Sequence, residues 1–362
     1  MKCIFFYEDE KEMTHTHWGV KWKDRLKWIA KSANLDPMFL DQSTFDKELK
    51  NIEEETFVLV KANLLLDHRL LDKLKKAGTS AILVKNGNRL PAFKISKQDI
   101  TGPLKEMNLE KFEGIDTEGY FCEEIKKPAE REFENSIFDF SVETRFDLKS
   151  PFSSYSKFTR YFNLPFSRLI TRVIIGTPLN PTHITLMSLS IILLASFLLA
   201  TGNFLYGSPL LYLGILLDGV DGKVARIRCQ TSLTGSTIDS FFDRVGEMAL
   251  ILALTYISLN RLYTPLLILL GFLGAFSFNM GFYLKEYCRA ETDLKWEKVY
   301  YKALDGPKIR PWDRDFSFFT AALLCILRKP ELALLFISIC QTTVVLLLFY
   351  SFIKSLSALE SS

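Results

Sequence analysis

Histidine is scarce in this chain, with four residues among 362. Two of them, His15 and His17 in THTHW, lie close together, but without further ligands the pair reads as an ordinary loop. Six cysteines, Cys3, Cys122, Cys229, Cys288, Cys325 and Cys340, form neither a CxxC nor a paired spacing. That argues against a zinc site and a disulfide framework and leaves reduced packing residues. Excess charge is lacking too, and a net charge of +3 gives no ground for a nucleic-acid partner. The N-terminal MKCIFFYEDE has too short an apolar run before its acids for a secretory signal, so the front of the chain is expected in the cytoplasm.

What is present divides the chain in two. Over residues 1–125, short apolar runs alternate with helical spacing. Strands are predicted at 3–7, 56–61, 80–85 and 89–95, helices at 25–33 and 67–77, and a turn at Asn86-Gly87-Asn88. The alternation predicts a small doubly wound α/β domain. Residues 126–150 are charged, lack a clear period and read as a linker. Over 151–173, Phe152, Tyr155, Phe158, Tyr161, Phe162, Phe166 and Leu169 interleave with Lys157, Arg160, Arg168 and Arg172. That is the pattern of an amphipathic helix lying in a membrane interface, its cations toward anionic headgroups.

Residues 174–355 hold six hydrophobic stretches, near 182–201, 204–226, 236–258, 264–286, 315–328 and 331–353, and predict a bundle of six transmembrane helices. The fifth is short, with Arg328-Lys329-Pro330-Glu331 as a tight connection at its end. Even-numbered connections are basic: the second carries Lys223, Arg226 and Arg228, the fourth Lys285, Arg289, Lys295, Lys298, Lys302, Lys308, Arg310 and Arg314. Odd ones are short or nearly uncharged. This bias predicts a multi-pass protein with the even connections and both termini in the cytoplasm.

Segment 217–244, LDGVDGKVARIRCQTSLTGSTIDSFFDR, sets four aspartates into this apolar half. Ionisable residues at bilayer depth are expensive and mark function by default. Asp218 and Asp221 are three apart and Asp239 and Asp243 four apart, so each pair shares one helix face. Two facing helices would gather four carboxylates that stay ionised only beside cations, and hard divalent ions, Mg²⁺ or Mn²⁺, are their natural partners. Gly222 and Gly235 leave room for a close ligand, Ala225 keeps its helix face low, and Arg226 has the forked geometry that suits a phosphate.

Read as D-x2-D-G-x2-A-R-x8-G-x3-D-x3-D, the segment resembles the CDP-alcohol phosphotransferase signature, with Asp218, Asp221, Gly222, Ala225, Arg226, Gly235, Asp239 and Asp243 filling every fixed position. The resemblance implies a homodimeric membrane enzyme of lipid metabolism that displaces CMP from a CDP-alcohol by attack of an acceptor hydroxyl, forming a phosphodiester. It implies two divalent ions held by Asp218, Asp221 and Asp239, with Asp243 as the base on the acceptor and close to or touching the second ion. Asp218, Gly222, Ala225, Arg226 and Gly235 would bind CDP. Many acceptors of the family are phosphorylated, and Lys285, Arg289 and Arg314 are candidates to hold that anion, with Arg168 and Arg172 further ones. The active site would face the cytoplasm, and membrane lipids would reach it laterally.

The front segment VLVKANLLLDHRLLDKL is similar in layout to part of a nucleotidyltransferase. Those enzymes wrap a triphosphate with a glycine-rich, basic loop after the first strand, and YEDEKEMTH is acidic and glycine-free there. The domain is therefore expected to be a degenerate nucleotidyltransferase-like relative with a structural or regulatory role. The whole layout is similar to fused inositol phosphate cytidylyltransferase/di-myo-inositol phosphate phosphate synthases. It also fits a phospholipid synthase using CDP-diacylglycerol or an archaeal ether-lipid equivalent. Outside the resemblance, a cation transporter or channel using the intramembrane aspartates and an inert membrane scaffold stay open.

Overall fold

The computed structural model describes residues 1–8, 10–41, 48, 52, 54–78, 80–85, 87–96, 112–117, 122–124, 158–291 and 314–360. The chain forms two units, Met1–Ser153 with Arg226–Gln230, and Ser154–Ala225 with Thr231–Ser362. The expected linker at 126–150, residues 151–157 and most of the basic fourth connection lie outside the described residues.

The first unit runs β1 (Lys2–Tyr7), α1 (Glu10–Thr14), β2 (Thr16–His17), β3 (Val20–Lys21), α2 (Trp22–Ser32), β4 (Asp36–Asp41), β5 (Thr56–Lys61), β6 (Leu64–Leu66), α3 (His68–Lys76), β7 (Ala81–Lys85), β8 (Asn88–Ser96), β9 (Glu113–Asp116) and β10 (Cys122–Glu124). KCIFFY and TFVLVK are buried along their middles, as strands covered on both faces should be, and they pair in parallel at the centre of a six-stranded sheet. The strand order is β4-β1-β5-β8-β7-β9. β4 contains Pro37 and, among the described strands, pairs with β1 alone, an edge position that tolerates the missing N–H.

The sheet is mixed, whereas a doubly wound one was expected. β8 runs antiparallel to both β5 and β7. The cause is local: Gly87 sits at φ +79° and turns the chain straight back, so β7 and β8 close as a hairpin with no crossover. α2 and α3 share one core with one sheet face, through Leu26, Ile29, Leu70 and Leu74 against Phe5, Val58 and Val60. Ile4, Leu59, Phe93 and Phe112 form a separate cluster on the other. His17 is buried in the small β2–β3 ribbon and His15 is exposed, their rings 6.5 Å apart. Described cysteines are free thiols, and burial pushes those of Cys3 and Cys229 above their ordinary range.

The second unit is helical. A π-helical turn at Thr159–Asn163 leads into α4 (Leu164–Ile175), which turns Leu164, Ser167 and Thr171 inward and leaves Leu169 and Val173 exposed. There follow α5 (Pro181–Ala200), α6 (Phe204–Ile227), α7 (Leu233–Arg261), α8 (Pro265–Glu291), α9 (Arg314–Ile326) and α10 (Pro330–Glu360). Pro181 and Pro330 open their helices, where a missing N–H costs nothing. The α9–α10 connection is as tight as the sequence suggests: Arg328 adopts φ +59°, and the N–H groups of Arg328 and Lys329 return to Cys325 and Leu324.

Helices stand at all six expected stretches. Three contain segments long and apolar enough to cross a membrane, Pro181–Ala200, Pro265–Cys288 and Pro330–Ser357, as an integral membrane protein requires. Of the others, α6 and α7 carry the aspartates and α9 has 13 residues. One core, including Ile192, Leu211, Leu254, Leu270, Phe318 and Ile337, joins α5 to α10. It leaves the C-terminal end of α6, the N-terminal part of α7 and the start of α9 to form a polar site.

Candidate active site

The turn between α6 and α7 fixes the site. α7 begins at Ser232, whose hydroxyl accepts the Gly235 N–H at 3.0 Å and satisfies an orphan donor of the first turn. Asp218 and Asp221 lie in the last turns of α6, and Asp239 and Asp243 one and two turns after Gly235. Ligand oxygens of Asp218, Asp239 and Asp243 all fall within 4.8 Å of one another. All three are half-buried hard donors, a set that fits Mg²⁺ or Mn²⁺ better than a softer metal.

Asp221 is not in that trio. It is buried and accepts hydrogen bonds from the Thr185 hydroxyl of α5 and from the Gly222 N–H. Beside it Lys223, also buried, donates to Ser167 Oγ at 2.9 Å and to the Gly219 carbonyl at 2.6 Å. Gly222, Ala225 and Arg226 continue along α6, all half-buried; Arg226 belongs to the first unit and the four aspartates to the second.

A cation already meets the carboxylates. Arg314, at the start of α9, donates from Nη1 to Asp243 Oδ2 at 3.0 Å and from Nη2 to Asp243 Oδ1 at 2.8 Å and Asp218 Oδ2 at 3.3 Å. Its Nε is 3.1 Å from Oε1 of Glu247, a residue 1% exposed in its side chain and one turn beyond Asp243. Glu247 also holds Arg244, 2.8 Å from Nη2 to Oε1 and 2.6 Å from Nη1 to Oε2. Arg244 further donates to the Phe278 carbonyl at 3.0 Å.

Asp243, Arg244, Glu247 and Arg314 line one side of a cavity of about 200 Å³, and Lys285, Phe282 and Gln341 of α8 and α10 line the other. Gln341 is buried, and its Nε2 has no partner among the described residues. Of the three cations expected to meet an acceptor, Lys285 and Arg314 line this cavity, whereas the Arg289 side chain lies outside the described residues. Arg168 and Arg172 are on α4.

Sequence reasoning missed Thr185, Glu247 and Gln341. Glu247 had a signal: Asp239, Asp243 and Glu247 recur at a spacing of four, a carboxylate ladder on one face of α7. Thr185 and Gln341 had none, because contacts between different helices leave no trace in local spacing.

Residues 179–292 match the family described as CDP-alcohol phosphatidyltransferase. Two curated proteins are similar to part of this chain. A bifunctional IPC transferase and DIPP synthase of Rubrobacter xylanophilus is 36% identical over 93 residues, 26% of this chain and 21% of that protein. An archaetidylinositol phosphate synthase of Pyrococcus horikoshii is 28% identical over 102 residues, 28% of this chain and 54% of that protein. The chain thus spans about a fifth and about half of the length of these relatives. Among solved structures, Mycobacterium tuberculosis phosphatidylinositol phosphate synthase with CDP-DAG bound aligns over 53% of this chain and 92% of its own, at 18% identity and a TM-score of 0.40. The stretch that carries Asp218, Asp221, Asp239 and Asp243 thus lies within the part of the chain that matches the CDP-alcohol phosphatidyltransferase family.

Proposed function

We propose that this protein transfers a phosphoalcohol group from a CDP-alcohol to an acceptor hydroxyl and releases CMP. The observation that carries the reading is the convergence of Asp218, Asp239 and Asp243 within 4.8 Å, inside the stretch that matches the family. Asp218, Asp221, Asp239 and Asp243 hold two divalent ions, Mg²⁺ or Mn²⁺. When bound, these ions supply charge neutralisation to the donor pyrophosphate and to the departing CMP. Gly222, Ala225, Arg226 and Gly235 seat the CDP moiety together with Asp218. Asp243 takes the acceptor's proton as the hydroxyl oxygen bonds to phosphorus and the bond from phosphorus to the CMP oxygen breaks.

The cavity beside Asp243 seats the acceptor. Its cations Arg244, Lys285 and Arg314 suit a phosphorylated alcohol, and the buried Gln341 amide suits one of its hydroxyls. Arg289 is a further candidate for this anion. An acceptor in that cavity lies next to Asp243, the reach general-base chemistry needs.

In this reading α5 to α10 form six spans, with the site and both termini on the cytoplasmic side of the membrane, where basic connections belong. The domain order is 1–125, a degenerate nucleotidyltransferase-like domain; 126–150, a linker; 151–173, an interfacial helix; and 174–355, the membrane enzyme, acting as a homodimer. A cation-conducting role is weaker, because the four aspartates gather at the joined ends of α6 and α7 and do not spread along them.

The deciding experiment is CMP release by purified protein with Mg²⁺ or Mn²⁺. The panel crosses CDP-diacylglycerol, CDP-archaeol and CDP-inositol with glycerol phosphate, inositol phosphate, serine and inositol. Release from one pair, abolished in Asp243→Asn, supports the reading and names the substrates. Protein that binds neither metal nor CDP sinks it.

A further inference from the structure

We propose that Arg314 is a built-in counter-cation of Asp218 and Asp243, that divalent ions take these carboxylates by exchange with its guanidinium, and that Glu247 is the positioning residue that keeps it at hand. The inference rests on the reading of the carboxylates as metal ligands.

Arg314 is the first described residue of α9, and among the described residues three acids of α6 and α7 hold its side chain: both oxygens of Asp243, one of Asp218 and one of Glu247, at 2.8 to 3.3 Å. A fork that engages both oxygens of one carboxylate is the strongest arrangement open to arginine. Asp218 and Asp243 are also two of the three residues whose oxygens converge within 4.8 Å. A dication accepted by that trio would stand against the guanidinium in a partly buried site, where like charges repel strongly. The two cations are alternatives for the same oxygens.

Glu247 makes the exchange local. It lies one turn beyond Asp243 on α7, is 1% exposed, and touches Arg314 through Nε, the atom that Asp243 and Asp218 do not use. When the Nη groups leave the aspartates, the contact at Nε persists as a pivot. Arg244 shares Glu247, so this buried carboxylate keeps a counter-charge throughout. Asp243, Glu247 and Arg314 all line the cavity that also holds Lys285, so the released guanidinium turns onto its wall.

The test is Mn²⁺ binding to the detergent-purified full chain without nucleotide, followed by electron paramagnetic resonance and by calorimetry. Arg314→Lys keeps the charge but cannot engage both Asp243 oxygens. It is expected to bind Mn²⁺ about tenfold tighter, an ordinary size for coupling between two ligands. Arg314→Gln shifts the same way and covers the case in which the lysine variant folds poorly. Glu247→Gln binds about fivefold weaker, for lack of a seat for the released guanidinium. Its effect shrinks below about twofold when combined with Arg314→Lys, because the two act through one contact. An unchanged affinity in Arg314→Lys overturns the proposal, and so does a Glu247→Gln effect of equal size in both backgrounds, the sign of mere through-space attraction. Wild-type protein that binds no Mn²⁺ overturns the metal reading and this inference together. Wild-type binding with an unresponsive Arg314→Lys overturns this inference alone.

Discussion

Arg314 and Asp243 face each other as a fork on a carboxylate, Nη1 to Oδ2 at 3.0 Å and Nη2 to Oδ1 at 2.8 Å, across the gap between α9 and α7. Asp218 meets the same guanidinium through a single oxygen at 3.3 Å. The two aspartates are thus unequal, and their variants should fail differently. Asp243→Asn is expected to lower turnover by roughly a thousandfold, the scale of general-base loss, with CDP binding retained. Asp218→Asn is expected to weaken Mn²⁺ binding by at least tenfold. Measuring Mn²⁺ affinity and CMP release in both decides the matter, and equal loss of metal affinity would count against separate roles.

Thr185 tests Asp221 from a neighbouring helix. Its hydroxyl donates to Asp221 Oδ2, and the valine that replaces it keeps its shape but lacks the donor. Leaving a buried carboxylate oxygen short of a partner costs about 1–3 kcal/mol. Thr185→Val should therefore raise the KM for the CDP-alcohol with little change in kcat, because Asp221 is assigned to holding the metal against which the donor binds. A fall in kcat at constant KM would place Asp221 nearer the transferring phosphoryl group than its position suggests.

Much of this architecture was legible in the sequence, and what was not has physical causes. The apolar stretch near 182–201 became α5 almost residue for residue, since bilayer-length hydrophobicity is a long signal, and the stretch near 204–226 became α6. In the front unit, TFVLVK became β5 as read, while β4 went unseen because Asp36 and Pro37 mask its short apolar run. The sheet's mixed topology followed from one turn at Gly87. In the site, spacing gave the four aspartates; the Arg314–Glu247 contact spans two helices and had no local trace.

Close helix approach depends on Gly214. A Cβ there would stand 2.6 Å from Cγ1 of Ile192 on α5, and the Gly214 carbonyl accepts the Ser188 hydroxyl at 2.9 Å. Gly214→Ala should destabilise the helical unit by about 1–3 kcal/mol, the usual cost of overpacking. The obstructing atom belongs to a side chain, so Ile192→Ala should recover part of the loss in the double variant. Thermal unfolding of the four proteins in detergent checks this, and strictly additive losses would show that the two residues do not share the contact.

Asp67 offers the corresponding test in the front unit. It precedes α3 in extended conformation, and its fully buried side chain accepts the Arg69 N–H at 2.9 Å, a cap of the first turn. The same carboxylate receives the Arg69 guanidinium at 3.0 and 2.9 Å. Two functions are superposed, and two variants separate them. Asp67→Asn keeps an oxygen for the N–H and removes the charge; Asp67→Ala removes both. Loss of a cap costs about 1 kcal/mol. Stripping the guanidinium of its partner as well leaves α3 less firmly seated, and α3 contributes Leu70, Leu71 and Leu74 to the core of this unit. The expected order of thermal stability is therefore wild type, Asp67→Asn, then Asp67→Ala, with the second gap the size of a cap. If asparagine proves as damaging as alanine, the ion pair with Arg69 dominates and the cap is incidental. CMP release measured in the same two proteins reads the front domain's role directly. A domain that only supports the chain leaves release unchanged where both units stay folded, whereas a regulatory one moves release in step with the loosening of α3.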